Sequence, residues 1–262
     1  MKYIVFCSLI VFLLSCTTGK EDCKKECDNI VAEKERAPLF QKITFPSLDS
    51  LPVTANLYSV SDSAPVIVLC HQARYNKFEY SGIAKSLQAK GFNCLAIDQR
   101  SGGGLVEEFN ETNLAALKKN LPVDFLDAKK DIEAAVDFAS KKYKSKIILW
   151  GSSYSSALAL HIACENENVK AVICFSPGDY FDKELGSVVK KMSTCTKPMF
   201  ITSSREEAPE ISKMLFPAKL KKGQIQFVPD SAGFHGSRAL WKTSANNEEY
   251  WKAINIFLSD LK

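Results

Sequence analysis

The chain holds only three histidines among its 262 residues, His71, His161 and His235. Any chemistry that needs an imidazole therefore has few places to find one. A formal charge of +4 is spread over mixed signs. No basic block tracks phosphates, which argues against nucleic acid as a partner. The apolar run at the N-terminus is about a dozen residues, short of the roughly 20 that a membrane-spanning helix needs. No second cysteine pair or nearby histidine stands beside Cys23 and Cys27 to complete a zinc site. A small disulfide loop, formed in an oxidising compartment, is the alternative for that pair. From Lys42 onward no repeat, linker or composition break divides the sequence, which predicts one domain.

At the N-terminus, "MKYIVFCSLIVFLLSC" carries one lysine, then the short apolar run, then "LLSC". This resembles a bacterial lipoprotein signal, with cleavage after Ser15 and lipidation of Cys16; an ordinary secretory signal is the alternative. The resemblance implies a signal peptide over residues 1–15 and a charged tether over 16–37, followed by a folded domain over 38–262. Lipid chains such as palmitate on Cys16 would hold the protein on a membrane of the cell envelope, periplasmic or surface-exposed. The tether mixes both charges densely, as a solvated segment does.

The remaining order of elements is regular. "KITF" and "VTANLYSV" alternate across "PSLDSLP" and predict an antiparallel hairpin. "PVIVLCH", "FNCLAID", "KIILW", "VKAVICF", "KPMFITS" and "QIQFVPD" read as strands, and their continuous apolar runs suit a sheet covered on both faces. Helical spacing appears in "FEYSGIAKSLQAKG", in "SALALHIACE", in "PEISKMLF" and in the closing "NEEYWKAINIFLSDL". In "VDFLDAKKDIEAAVDFASKKY" it puts Phe125, Ala128, Ile132, Ala135, Val136 and Ala139 on one buried stripe. The closing helix is expected to bury Trp251, Ile254, Phe257, Leu258 and Leu261. Between Ser101 and Pro122 runs a long glycine-opened excursion, expected to form a small lid. A leading hairpin followed by alternating strands and helices predicts an α/β fold: a mostly parallel sheet with helices on both faces.

Ligands of open α/β sheets bind beyond the carboxyl ends of the strands, so the strand-end residues carry the chemistry. Ser153 lies in "GSSYSS", where a strand turns directly into a helix, a turn that holds a side chain clear of the sheet. Gly151 and Ser155 flank it, where the usual pattern is G-x-S-x-G; a helix cap is the bland alternative. A serine nucleophile needs a base. His235, after the last strand, has the position for it, whereas His161 sits inside a helix and His71 ends a strand. A carboxylate must orient the imidazole. Glu207 is favoured, with Glu206 beside it and Asp179 after the preceding strand as alternatives. Ser153, Glu207 and His235 then follow the chain order of α/β-hydrolases.

From about Lys42 to the end, the chain resembles an α/β-hydrolase of the dienelactone-hydrolase-like group. The resemblance rests on "LCHQARYNKFEY", "FNCLAIDQRSGG", "WGSSYSS", "FSPGDYF", "FITSSREE" and "FHGSRALW". Dienelactone hydrolase itself uses a cysteine where this chain has Ser153, so the namesake substrate is not implied. The resemblance implies an oxyanion hole made by the backbone N–H groups of Gln72 and Tyr154. It implies an esterase that acts on a small-molecule ester through an acyl-enzyme, without metal or cofactor. A non-catalytic binding lipoprotein and a peptidase are the alternatives.

Overall fold

Alternate residues of the central strands face two different layers of helices. In β3 (Val66–Cys70), Val66, Val68 and Cys70 enter one apolar cluster while Ile67 and Leu69 enter the other. In β5 (Ile147–Ser152), Ile147 and Leu149 take the first side and Ile148 and Trp150 the second. This period of two, apolar on both faces, is why the strands read as unbroken hydrophobic runs.

The computed structural model describes residues 39–261. The expected signal peptide, Cys16, the tether and the Cys23–Cys27 pair lie outside the described residues. One eight-stranded sheet has the order β1-β2-β4-β3-β5-β6-β7-β8. The hairpin of β1 (Gln41–Pro46) and β2 (Pro52–Tyr58) is antiparallel and pairs antiparallel with β4 (Asn93–Ile97). From β4 onward every pairing is parallel, through β6 (Val169–Phe175), β7 (Met199–Thr202) and β8 (Gln224–Phe227). The strand order reverses between β3 and β5, which opens the crevice at their carboxyl ends.

Helix α1 (Ser81–Ala89) follows a 3-10 turn at Lys77–Tyr80. The long excursion contains α2 (Glu111–Lys118), and α3 (Ala128–Tyr143) and α4 (Tyr154–Glu165) flank β5 in sequence. Two short helices, α5 (Asp182–Leu185) and α6 (Val188–Thr194), fall between β6 and β7. They are followed by α7 (Ala208–Leu215) and the closing α8 (Asn247–Ser259). Buried residues of α1 and α8 share one cluster, and those of α3, α4, α6 and α7 share the other.

Three local expectations need correction. Phe125 does not belong to the buried stripe of α3: it lies in a 3-10 turn before it, 45% exposed, with its ring 4.6 Å from that of Tyr154. In α8 Tyr250 is buried with Ile254, Phe257 and Leu258, while Trp251 and, beyond the helix, Leu261 are only partly covered. The excursion is no lid over the cavity described below. Helix α2 packs on β2 instead, where the Thr112 hydroxyl accepts the Thr54 N–H at 2.9 Å and Glu111 pairs with Lys42 and Lys77.

Candidate active site

Ser153 occupies the turn between β5 and α4 with φ +58° and ψ −125°, a conformation that costs energy for any residue with a side chain. The turn is held from both sides. A Cβ on Gly151 would lie 2.4 Å from the Ser155 carbonyl oxygen and 2.5 Å from Ser156 Cα, so only glycine fits there. At the other small position, the Ser155 hydroxyl accepts the Ser152 N–H at 2.9 Å.

Ser153 Oγ is 2.8 Å from His235 Nε2, and His235 Nδ1 is hydrogen-bonded to Glu207 Oε1. Glu207 Oε2 accepts from the Ser176 hydroxyl at 2.7 Å, the Ser204 hydroxyl at 3.0 Å and the Ser204 N–H at 3.1 Å. Burial raises the pKa of Glu207, but the hydrogen bonds from His235 and Ser176 and the charge of His235 outweigh it and hold the carboxyl at about 2. An ionised carboxylate can only accept. Nδ1 therefore carries a hydrogen toward Glu207, and Nε2 is left to accept the Ser153 hydroxyl proton.

The other candidates are elsewhere engaged. Glu206 lines the neighbouring cavity but makes no hydrogen bond to His235, and Asp179 accepts the Val188 N–H at 2.9 Å. His161 is buried within α4. His71 is fully buried with both nitrogens occupied. Nδ1 donates to the Gln72 carbonyl at 2.8 Å, and Nε2 accepts from the Gln99 N–H at 3.0 Å and the Asn110 amide at 3.3 Å. Burial lowers its pKa, and its work is to fasten β3 to the segment after β4.

The expected oxyanion donors divide. Tyr154 opens α4, so its N–H is among the helix-terminal amides that no intrahelical carbonyl satisfies. Its buried side chain instead bonds Ser101 Oγ at 2.6 Å and Gln99 at 3.1 Å. Gln72 is a correction. Its N–H donates to the buried carboxylate of Glu79 at 2.7 Å, so it is not available to a second oxygen above Ser153. The following amide, that of Ala73, makes no hydrogen bond among the described residues.

The loop of His235 is fixed by its neighbours. Gly236 has φ +70°, and a Cβ there would lie 2.7 Å from Ser152 Oγ and 2.9 Å from Gln72 Oε1. Its N–H donates to Ser176 Oγ at 2.9 Å. Beside this loop a cavity of about 1010 Å³ is walled by Pro177, Tyr180, Ile211, Phe234, His235 and Arg238, among others. It adjoins the imidazole rather than Ser153, which is itself 9% exposed.

Sequence reasoning placed Ser204 among the strand-end residues without a role and missed Ser176 and Glu79. Ser176 sits at a strand end, one residue before Pro177, which the strand-end rule selects. Glu79 carried no such signal.

Comparison with known proteins identifies the family. Residues 61–216 match the family described as serine aminopeptidase, S33, more than half of the 262 residues. The chain belongs to the serine aminopeptidase S33 family. This S33 chain is 30% identical over 142 residues to the acyltransferase drtE of Aspergillus calidoustus, 53% of this chain and 43% of that one. It is 30% identical over 143 residues to the thiohydrolase apmlB of Arthrinium phaeospermum, 53% and 43% of the two chains. The chain thus spans less than half the length of either relative. Among solved structures, a Pyrococcus furiosus esterase superposes with a TM-score of 0.65 at 16% identity, covering 84% of this chain and 90% of the esterase. DcsB, in complex with its substrate analogue, gives 0.65 at 17% identity over 84% and 99% of the two chains. A dienelactone hydrolase from Anabaena variabilis gives 0.62 at 16% identity over 85% and 98%. The fold is that of the α/β-hydrolases, as the sequence predicts.

Proposed function

We propose that this S33 protein is a serine hydrolase that cleaves carboxylic esters, with Ser153 as nucleophile, His235 as base and Glu207 as the orienting acid. The reading rests on one observation above the rest: the 2.8 Å contact between Ser153 Oγ and Nε2 of the same imidazole whose Nδ1 is hydrogen-bonded to Glu207. In the first half-reaction Oγ attacks the acyl carbonyl and passes its proton to His235 Nε2. The tetrahedral oxyanion takes hydrogen bonds from the Tyr154 N–H and from the Ala73 N–H, which replaces Gln72 in that role. The carbon–oxygen bond to the leaving group breaks, and His235 returns the proton to the departing alkoxide. Water, deprotonated by His235, then attacks the acyl-enzyme and restores Ser153.

Replacing Ser153 with Ala should abolish both hydrolysis of short-chain nitrophenyl esters and labelling by a fluorophosphonate; labelling that survives would refute the assignment. A chain-length series of esters, run beside acetylated sugars and amino-acid anilides, separates esterase from deacetylase and from aminopeptidase. An unreactive wild type would favour a non-catalytic binding protein.

We also propose that the protein is anchored to a cell-envelope membrane through lipid on Cys16. Replacing Cys16 with Ser should release it into the soluble fraction, and unchanged membrane retention would refute the anchor.

A further inference from the structure

Glu79 is a carboxylate in an unusual place. It lies in the 3-10 turn after β3, 1% exposed, and makes no ion pair among the described residues. Burying a carboxyl without a cation is costly, and here burial pushes its pKa up to about 7 against the hydrogen bonds from Gln72 and Ser152.

The contacts show what the carboxyl reaches. Oε2 accepts the Gln72 N–H at 2.7 Å, on the loop after β3. Oε1 accepts the Ser152 hydroxyl at 2.8 Å, on the residue before the Ser153 turn. The same Ser152 oxygen accepts the Ser237 N–H at 2.9 Å, two residues past His235. The backbone carbonyl of Glu79 accepts the Trp241 indole N–H at 2.8 Å, beyond the same loop. The side chain thus joins the Gln72 loop to the Ser153 turn, and the His235 loop is tied in through Ser152 Oγ and the Glu79 backbone carbonyl.

Building on the reading of Ser153 as nucleophile, we propose that Glu79 is a positioning residue that keeps the loop of Gln72 and Ala73, the Ser153 turn and the His235 loop in reacting register. By holding the Gln72 N–H, it fixes the His71–Gln72 peptide; the next peptide, which bears the Ala73 N–H, is held through its carbonyl by His71 Nδ1. By holding Ser152, Glu79 fixes the height of the nucleophile. Small misplacements of such groups cost on the order of a hundredfold in rate.

The test compares Glu79→Gln and Ser152→Ala with the wild type, with fluorophosphonate titration counting competent sites in each. In Glu79→Gln the remaining oxygen can still take the Gln72 N–H, but the amide NH2 that faces Ser152 Oγ is accepted only if the Ser152 hydroxyl turns its own hydrogen away. Per titrated site, kcat on a nitrophenyl ester should fall by about tenfold or more, with KM within about twofold of the wild type. Affinity for a trifluoromethyl-ketone analogue should fall by the same factor as kcat/KM. Ser152→Ala cuts only one arm and should lower kcat per site by about threefold or more. Wild-type turnover per site in Glu79→Gln, with any lost activity explained by fewer competent sites, would make Glu79 merely structural and overturn the proposal. If Glu79→Gln does not fold, Ser152→Ala decides in the same way. An inert, unlabelled wild type would instead refute the Ser153 reading and this inference with it.

Discussion

The Ser155 hydroxyl donates to the Cys70 carbonyl at 2.8 Å, tying the first turn of α4 to the end of β3. The same hydrogen is shared with the Ser152 carbonyl at 2.9 Å, and the oxygen accepts the Ser152 N–H. A residue that departs from the usual glycine thus binds the turn to the strand beside it. Replacing Ser155 with Gly, though it restores the common pattern, should destabilise the protein by about 1–2 kcal/mol. Urea unfolding measures this, and a variant as stable as the wild type would show the hydroxyl to be idle.

Gly151 allows no such variation. With a Cβ only 2.4 Å from a backbone oxygen, Gly151→Ala must push α4 away from β5. The expected cost is about 3 kcal/mol or more, comparable with severe overpacking. Soluble, folded Gly151→Ala of unchanged melting temperature would contradict the geometry.

His235 and His161 should behave oppositely. His235→Gln should lower kcat/KM by roughly a thousandfold or more. His161→Leu, at a buried site within α4, should leave turnover per titrated site within about twofold. Steady-state kinetics on a nitrophenyl ester reads both, and equal losses would point to a structural effect of each.

Acid stability should follow Glu207. Its carboxyl lies at about 2 in the folded chain against 4.5 when unperturbed. Its stabilisation is therefore complete above pH 4.5 and lost as pH falls from there toward 2. Glu79 has the opposite sign: its folded value of about 7 exceeds 4.5, so its cost is absent in acid and grows between pH 4.5 and 7. Glu207→Gln should be less stable than the wild type at neutral pH, and the gap should close toward pH 2. Urea midpoints across this range test it; a gap independent of pH would remove the charge from the explanation.

Much of this was legible in the sequence. The apolar runs revealed the strands because both sheet faces are covered, and strand-end position pointed to Ser153 and His235 while favouring Glu207 over Glu206 and Asp179, all three of which fit the same chain order. Short helices such as α2 and α5 were not legible, since weak local preferences settle by packing. Phe125 misled because its spacing matches α3 while its ring finds Tyr154 instead. The Gln72 donor misled for a deeper reason: its partner, Glu79, looks like any polar residue at a helix start. Its other contact, Ser152, is 73 residues away, and no local pattern encodes a hydrogen bond at that distance.

Gly236 gives the molecule one practical property. The peptide beside His235 is pinned by Ser176 and hemmed in by Ser152 and Gln72, so the ring is a tool on a mount that does not depend on it. Exchanging or alkylating the imidazole should disarm the protein while leaving its scaffold intact. Such derivatives would be sound vehicles for trapping an unreacted ligand.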